Sequence, residues 1–189
     1  IGRLGVLPLS VHTIPNQVIM AVSMAPFALG VALTIRMGVT LSQSVSRAKQ
    51  IVVATFIFSV ILLGTATIIM YLLSDWIISL FTTDDEVKEL AQRIWWKVCA
   101  FNFNVSIFAV LTGVAAGLEK QWTLGAVNFS FLWIFGVPLT YYFALIRGGG
   151  LDAAWTWINI PYICMDVTLI TIFVCADWSK VQEKMHKRN

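Results

Sequence analysis

The sequence predicts an all-α, polytopic membrane helix bundle of about five transmembrane helices, and two observations carry that expectation. Of 189 residues, 58% are hydrophobic and only 12% charged, with a mean hydropathy of +0.80. A water-soluble domain carries roughly 25% charged residues, so too little charge remains here to coat a surface in contact with water. The second observation is length: five stretches, residues 4–35, 51–74, 98–118, 122–146 and 151–179, contain no Lys or Arg. Each reaches the ~20 residues that a helix needs to cross hydrocarbon. An unpaired backbone group in lipid costs several kcal/mol, so stretches of this length are expected to satisfy their own backbone as helices.

The spans are expected at about residues 8–35, 51–74, 95–118, 122–146 and 152–177, with a cytoplasmic tail at 178–189, all within one unit covering 1–189. The first stretch is longer than one crossing requires and holds Pro8, Pro15 and Pro26. Pro8 is expected before or at the helix start. Pro15 and Pro26 each remove a backbone donor and crowd the preceding turn; they read either as hinges or as prolines accommodated by packing.

Lys and Arg positions suggest the orientation. The first connection holds Arg36, Arg47 and Lys49 without an acid, the third holds Lys120, and the tail holds Lys180, Lys184, Lys187 and Arg188. These are expected to face the cytoplasm. The second connection holds Asp84, Asp85, Glu86 and Glu89, with Lys88, Arg93 and Lys97 among them. There Thr82 or Thr83 is expected to cap a helix whose first turn gains from the acids. Trp76, Trp95, Trp96, Trp122 and Trp178 fall near span ends and read as anchors in an interfacial aromatic belt. Cys99, Cys164 and Cys175 lie in apolar runs without close pairing and read as small core hydrophobes.

In lipid the small and polar residues of a helix pack inward or line a cavity. In the third span Asn102, Ser106, Ala109, Gly113 and Gly117 recur at spacings of three and four and form one narrow stripe. Gly113 and Gly117 form a G-x-x-x-G, read as close helix packing, with Asn102 left as a binding candidate. In the first span His12, Asn16, Met20 and Ser23 share a face with Gln17 beside them, a candidate cavity wall. His12, near the helix start, reads as an interfacial hydrogen-bonding group, with a proton relay as the functional alternative. Asp166 is the acid placed well inside a span, and Asn159 lies seven residues earlier on the same face. A charged Asp at mid-membrane costs ~2.5–3.5 kcal/mol on insertion scales. Asp166 therefore reads either as a site for cationic substrate or a coupling proton, or as a hydrogen-bonding group between helices.

Other chemistries find no support. The net charge of +3 is spread along the chain, unlike the basic patch of a nucleic-acid binder. Gly148-Gly149-Gly150 lacks the Lys and Ser/Thr of a phosphate-binding loop and reads as an external turn. No Ser/His/Asp or metal-ligand pattern sits on a credible scaffold, so neither an enzyme nor a cofactor or metal is expected. The sequence opens at Ile1 without an initiator Met or anything resembling a signal peptide, and an N-terminal part beyond it is expected.

The run from Pro26 through Leu29-Gly30 to Arg36-Met37-Gly38 resembles a signature of the multidrug and toxic compound extrusion (MATE) family, in which Pro and small residues precede an Arg-x-Gly leaving the membrane. The resemblance continues in Ser46-Arg47-Ala48-Lys49, Phe81-Thr82-Thr83-Asp84, Gly113-Val114 with Gly117, Lys120-Gln121, Gly125-Ala126-Val127-Asn128, Gly136-Val137-Pro138 and Gly150-Leu151 with Trp155. It covers nearly the whole chain and implies the last five of the family's twelve helices, most of the C-terminal lobe of a two-lobe transporter. It further implies a secondary active antiporter that exports organic, often cationic, compounds in exchange for H⁺ or Na⁺ by alternating access. Its expected partners are the lipid bilayer, a small organic substrate and the N-terminal lobe. Pro15, Pro26, Arg36, Gly113, Gly117 and Pro138 are the expected structural or hinge positions. The sequence departs from the family at Ala116, where many members carry Arg, at Leu118 and Glu119, and at Ser42 in place of a common Gly. Some eukaryotic members also carry a functional Glu in the helix matching 98–118, a stretch with no acid here. A lipid-linked saccharide flippase of the same superfamily, for which more cationic residues would be expected inside the spans, and a non-transporting membrane scaffold are the alternatives.

Overall fold

In a computed structural model, which describes residues 2–188, the chain is helical throughout, and no strand occurs among the described residues. Asn189, the last residue of the expected tail, lies outside them. The helices are α1 (Val6–Gln43), α2 (Val45–Leu72), the short α3 (Ser74–Ser79), α4 (Asp85–Gly117), α5 (Gln121–Asn128), α6 (Val137–Tyr141), α7 (Gly150–Val174) and α8 (Trp178–Arg188). Stretches of wider, π-type turn, Phe129–Gly136 and Tyr142–Ile146, join α5 to α6 and lead out of α6. These pieces make one crossing from Gln121 to Ile146, and α1, α2, α4 and α7 supply the other four membrane-spanning helices.

Three of the five crossings, α1, α2 and α4, extend into charged residues beyond the stretches free of Lys and Arg. α1 continues past Arg36, whose side chain is exposed, and runs through Pro15 and Pro26 as one element. It stops at Ser44, which turns extended and caps α2 by accepting the Arg47 N–H at 3.4 Å. α4 begins at Asp85, and its N-cap is Asp84, whose Oδ1 accepts Glu86 N–H at 2.9 Å and Val87 N–H at 3.4 Å. Neither threonine fills that place; Thr82 instead accepts the Asp84 N–H at 3.1 Å, bracing the loop that carries the cap. A carboxylate is the stronger acceptor beside the positive end of the helix.

The early start of α4 changes the reading of its tryptophans. Trp95 lies well inside the helix, only 1% exposed, and its indole N–H donates to the Met70 carbonyl at the end of α2 at 3.0 Å. Trp178 is 5% exposed under the end of α7 and donates to the Phe173 carbonyl at 3.0 Å. Both are core residues and not interfacial anchors, whereas Trp76, Trp96 and Trp122 are exposed. The cysteines divide as well: Cys99 is buried, Cys164 half-buried and Cys175 exposed, so only the first packs as a core hydrophobe.

α4 is the hub, with α1, α2 and α7 packed around it. One apolar layer joins Met37 and Leu41 of α1 to Val110, Leu111 and Val114 of α4 and Leu169 of α7. A second joins Val11, Ile14 and Val18 to Ile94, Trp95 and Val98. Paired residue numbers rise together in both α1 with α4 and α4 with α7, so these three helices run parallel.

Candidate functional site

The closest helix approach lies between α1 and α4. A Cβ at Gly113 would collide with the Gly30 backbone, and one at Gly30 would meet the Ala109 carbonyl, so both positions require glycine. Thr34 Oγ1 sits 3.0 Å from both the Gly30 and Gly113 carbonyl oxygens and ties the crossing together. Gly117 meets Met37 one turn further on. Small residues let the backbones touch, which is how helices associate where lipid is as apolar as leucine.

One face of that contact is polar. Asn102 and Ser106, 2% and 0% exposed, precede the glycines on the same stripe of α4, yet Asn102 Oδ1 and Ser106 Oγ have no hydrogen-bond partner among the described residues. The α1/α4 register brings Val22, Ser23 and Pro26 to their level. Pro26 has no N–H, so the Val22 carbonyl lacks its helical donor.

A second polar seam joins α4 to α7. Lys97, 8% exposed, forms an ion pair with Asp152 at 2.6 Å. Seven residues further along both helices, Asn104 donates to Asn159 Oδ1 at 3.0 Å. Asn159 Nδ2 in turn donates to the Trp155 carbonyl at 2.7 Å and the Lys97 carbonyl at 3.2 Å. The Asn159 amide is thus committed on both its oxygen and its nitrogen to holding the helices together. Phe101 and Phe108 pack edge-on against Tyr162 at 5.0 and 5.8 Å, completing the seam.

Because Asn159 bridges Lys97 and Asn104, the same register sets Asp166, seven residues further on, between the levels of Asn104 and Leu111. Asp166 is only 7% exposed, and its Oδ1 has no hydrogen-bond partner among the described residues. Where the first two steps of the seam are paired, the third leaves a buried carboxyl oxygen without a donor. Burial of that kind is costly unless the group is protonated or meets a cation.

The other candidates lie elsewhere. Asn16 and Gln17 are exposed on α1, away from the α4/α7 seam, while Ser23 is buried and donates to the Met20 carbonyl at 3.1 Å. The His12 ring lies tilted against the Trp155 ring at 5.3 Å between centroids, and its Nδ1 is buried without a hydrogen-bond partner among the described residues. Pro15 and Pro26 are buried, and Pro138 is exposed at the start of α6. Lys97, Asn104 and Tyr162 escaped the reading of the sequence. The signal that finds them is a matched spacing: Lys97 and Asn104 on one helix, Asp152 and Asn159 on another, each pair seven residues apart. No group of three or more His, Cys, Asp or Glu side chains able to hold a metal occurs among the described residues.

Comparison with known proteins places this architecture. The MatE family model matches residues 1–142. The chain is 27% identical over 98% of its length to multidrug and toxin extrusion protein 2 of Oryctolagus cuniculus, covering 31% of that protein. It is 26% identical over 84% of its length to the probable multidrug resistance protein NorM of Idiomarina loihiensis, covering 35% of it. The chain therefore spans about a third of the length of these curated relatives. Its fold matches the crystal structure of the eukaryotic MATE transporter AtDTX14 with a TM-score of 0.91 at 21% identity, over 96% of this chain and 41% of that one. The chain is a multi-pass integral membrane protein and belongs to the MatE family.

Proposed function

We propose that the chain forms five helices of the C-terminal lobe of a secondary active antiporter, which exports organic, often cationic, compounds in exchange for H⁺ or Na⁺ by alternating access. Family membership and the multidrug names of two relatives support the transport reading. The observation that carries the coupling is Asp166, a buried carboxyl deep in a membrane-spanning helix with an unsatisfied oxygen. Antiport needs a group that two cations occupy in turn. A buried carboxyl inside the membrane serves that need, because its charge is best tolerated while H⁺, Na⁺ or the organic cation neutralises it. Asn102 and Ser106, also unsatisfied, supply neutral acceptors beside the α1 proline and favour a ligand carrying positive charge. The N-terminal lobe closes the site from the opposite side. The end of the bundle carrying Arg36, Arg47, Lys49, Lys120 and the α8 lysines faces the cytoplasm, which puts the C-terminus inside.

The test is flux of a fluorescent organic cation by the full-length protein in proteoliposomes, with H⁺ and Na⁺ gradients imposed separately. Uptake against its own gradient under one of the two is expected, and Asp166→Asn is expected to reduce it by tenfold or more and flatten its pH dependence. Flux under neither gradient, or wild-type flux and pH dependence in Asp166→Asn, overturns the proposal.

A further inference from the structure

At the end of the bundle that gathers the basic residues, a groove of about 340 Å³ opens between α2, α4, α7 and the first turn of α8. Clefts that hold small ligands commonly enclose ~300–1,000 Å³. Its wall is apolar, built from Phe56, Leu111, Phe173 and Trp178, and Lys49 stands at its rim. Ile57, 54% exposed, leaves the groove open sideways toward the surrounding lipid.

We propose that this groove binds an anionic glycerophospholipid, one acyl chain lying along the apolar wall and the phosphate held by the Lys49 ammonium. Charge complementarity selects the occupant. Two ammonium groups of α8 are matched, Lys180 to Asp177 at 3.4 Å and Lys184 to Glu119 at 3.0 Å. Lys49 has no carboxylate within ion-pair distance among the described residues, and lies instead 5.8 Å over the Trp178 ring. That indole is fixed by its hydrogen bond to the Phe173 carbonyl, so it holds the ammonium at the boundary between apolar groove and polar surface. An ammonium so placed keeps its N–H donors free for a phosphate at the depth where lipid headgroups lie. A zwitterionic headgroup brings its own cation to the same spot and gains less. The bilayer supplies the ligand, and the amphipathic α8, with Trp178 buried and Lys180 and Lys184 outward, lies where a headgroup layer would meet it.

The experiment uses the full-length protein in detergent with phosphatidylglycerol bearing a diazirine on one acyl chain. Labelling is expected on the 52–57 and 170–174 segments, and excess phosphatidylglycerol should displace it while phosphatidylcholine and free glycerol phosphate leave it in place. Lys49→Gln is expected to weaken phosphatidylglycerol binding about fivefold, the factor one basic residue near an anionic lipid surface contributes. Ile57→Trp, which fills the groove from its open side, is expected to remove the label. Arg47→Gln, two residues away on another face of α2 and outside the groove, is expected to leave binding unchanged. Labelling spread evenly over α2, equal competition by phosphatidylcholine, displacement by glycerol phosphate alone, or an equal loss in Arg47→Gln overturns the proposal.

Discussion

α2 and α4 make the most instructive pair in the bundle. α2 is the more apolar helix, yet only 11% of its most apolar stretch is buried, against 61% for α4. In water that order would be reversed. In lipid an apolar side chain gains little by leaving the surface, so backbone approach and polar satisfaction decide which helix becomes the centre. α4 has Ala109, Gly113 and Gly117 to let α1 close in, and Lys97, Asn102 and Asn104 to shelter. α2 turns Ile57, Phe58, Ile61 and Ile68 outward, all more than half exposed.

The contrast breaks most visibly at the α1/α4 crossing. Gly113→Leu should prevent the two backbones from meeting and cost ~3 kcal/mol or more, because the obstacle is backbone and not a side chain that can move aside. Thermal unfolding in detergent would read this as loss of a folded species, with Gly38→Ala, where a Cβ meets nothing within 4 Å, unchanged. A smaller but more direct comparison is Leu111→Ala in α4 against Ile61→Ala in α2. The first vacates a site only 2% exposed and should cost ~2–4 kcal/mol; the second, at 64% exposed, should stay within ~0.5 kcal/mol. Equal effects would remove the distinction between hub and rim.

The α4/α7 seam offers an asymmetric test. Asp152→Asn leaves Lys97 enclosed without its counter-ion and should destabilise by ~1–2 kcal/mol, discounted because the Asp152 side chain is 52% exposed. Lys97→Met leaves a carboxylate that reaches water and should cost less. The smallest effect lies outside the membrane, at α8. The Lys180 N–H beside Asp177 holds that carboxyl below the usual carboxylate range, helped by the Lys180 ammonium. A depressed folded value means the contribution is present above the ordinary carboxylate range and fades as pH falls through the folded value. Amide exchange across α8 should therefore be slightly faster in Asp177→Asn than in the wild type near neutral pH, and the difference should vanish in acid.

Length and charge made the five crossings legible, because the cost of unpaired backbone in lipid admits no other reading of such runs. The packing stripe of α4 was legible for a related reason: small residues at spacings of three and four have one use between helices. Partnership between helices was not. Lys97 read as one of several charges in a polar connection, because only the start of α4 at Asp85 places it inside the bundle. Trp95 and Trp178 read as anchors because position near a span end cannot say whether another helix covers that end. The Asn104–Asn159 bond depends on a register between α4 and α7 that no local pattern sets alone, although the matched spacing hints at it. Asp166 stood out in the sequence as a charge inside a span; that its Oδ1 is buried without a hydrogen-bond partner among the described residues required the fold.

The central claim is that this bundle is ordered by closeness of packing around α4 with its most apolar helix turned to lipid. A photoactivatable apolar carbene reagent dissolved in the bilayer, followed by peptide mapping of the full-length protein in liposomes, tests it most directly. Dense labelling of residues 57–69 in α2 with almost none of 98–118 in α4 is the predicted result. Labelling of α4 as heavy as that of α2 would contradict it.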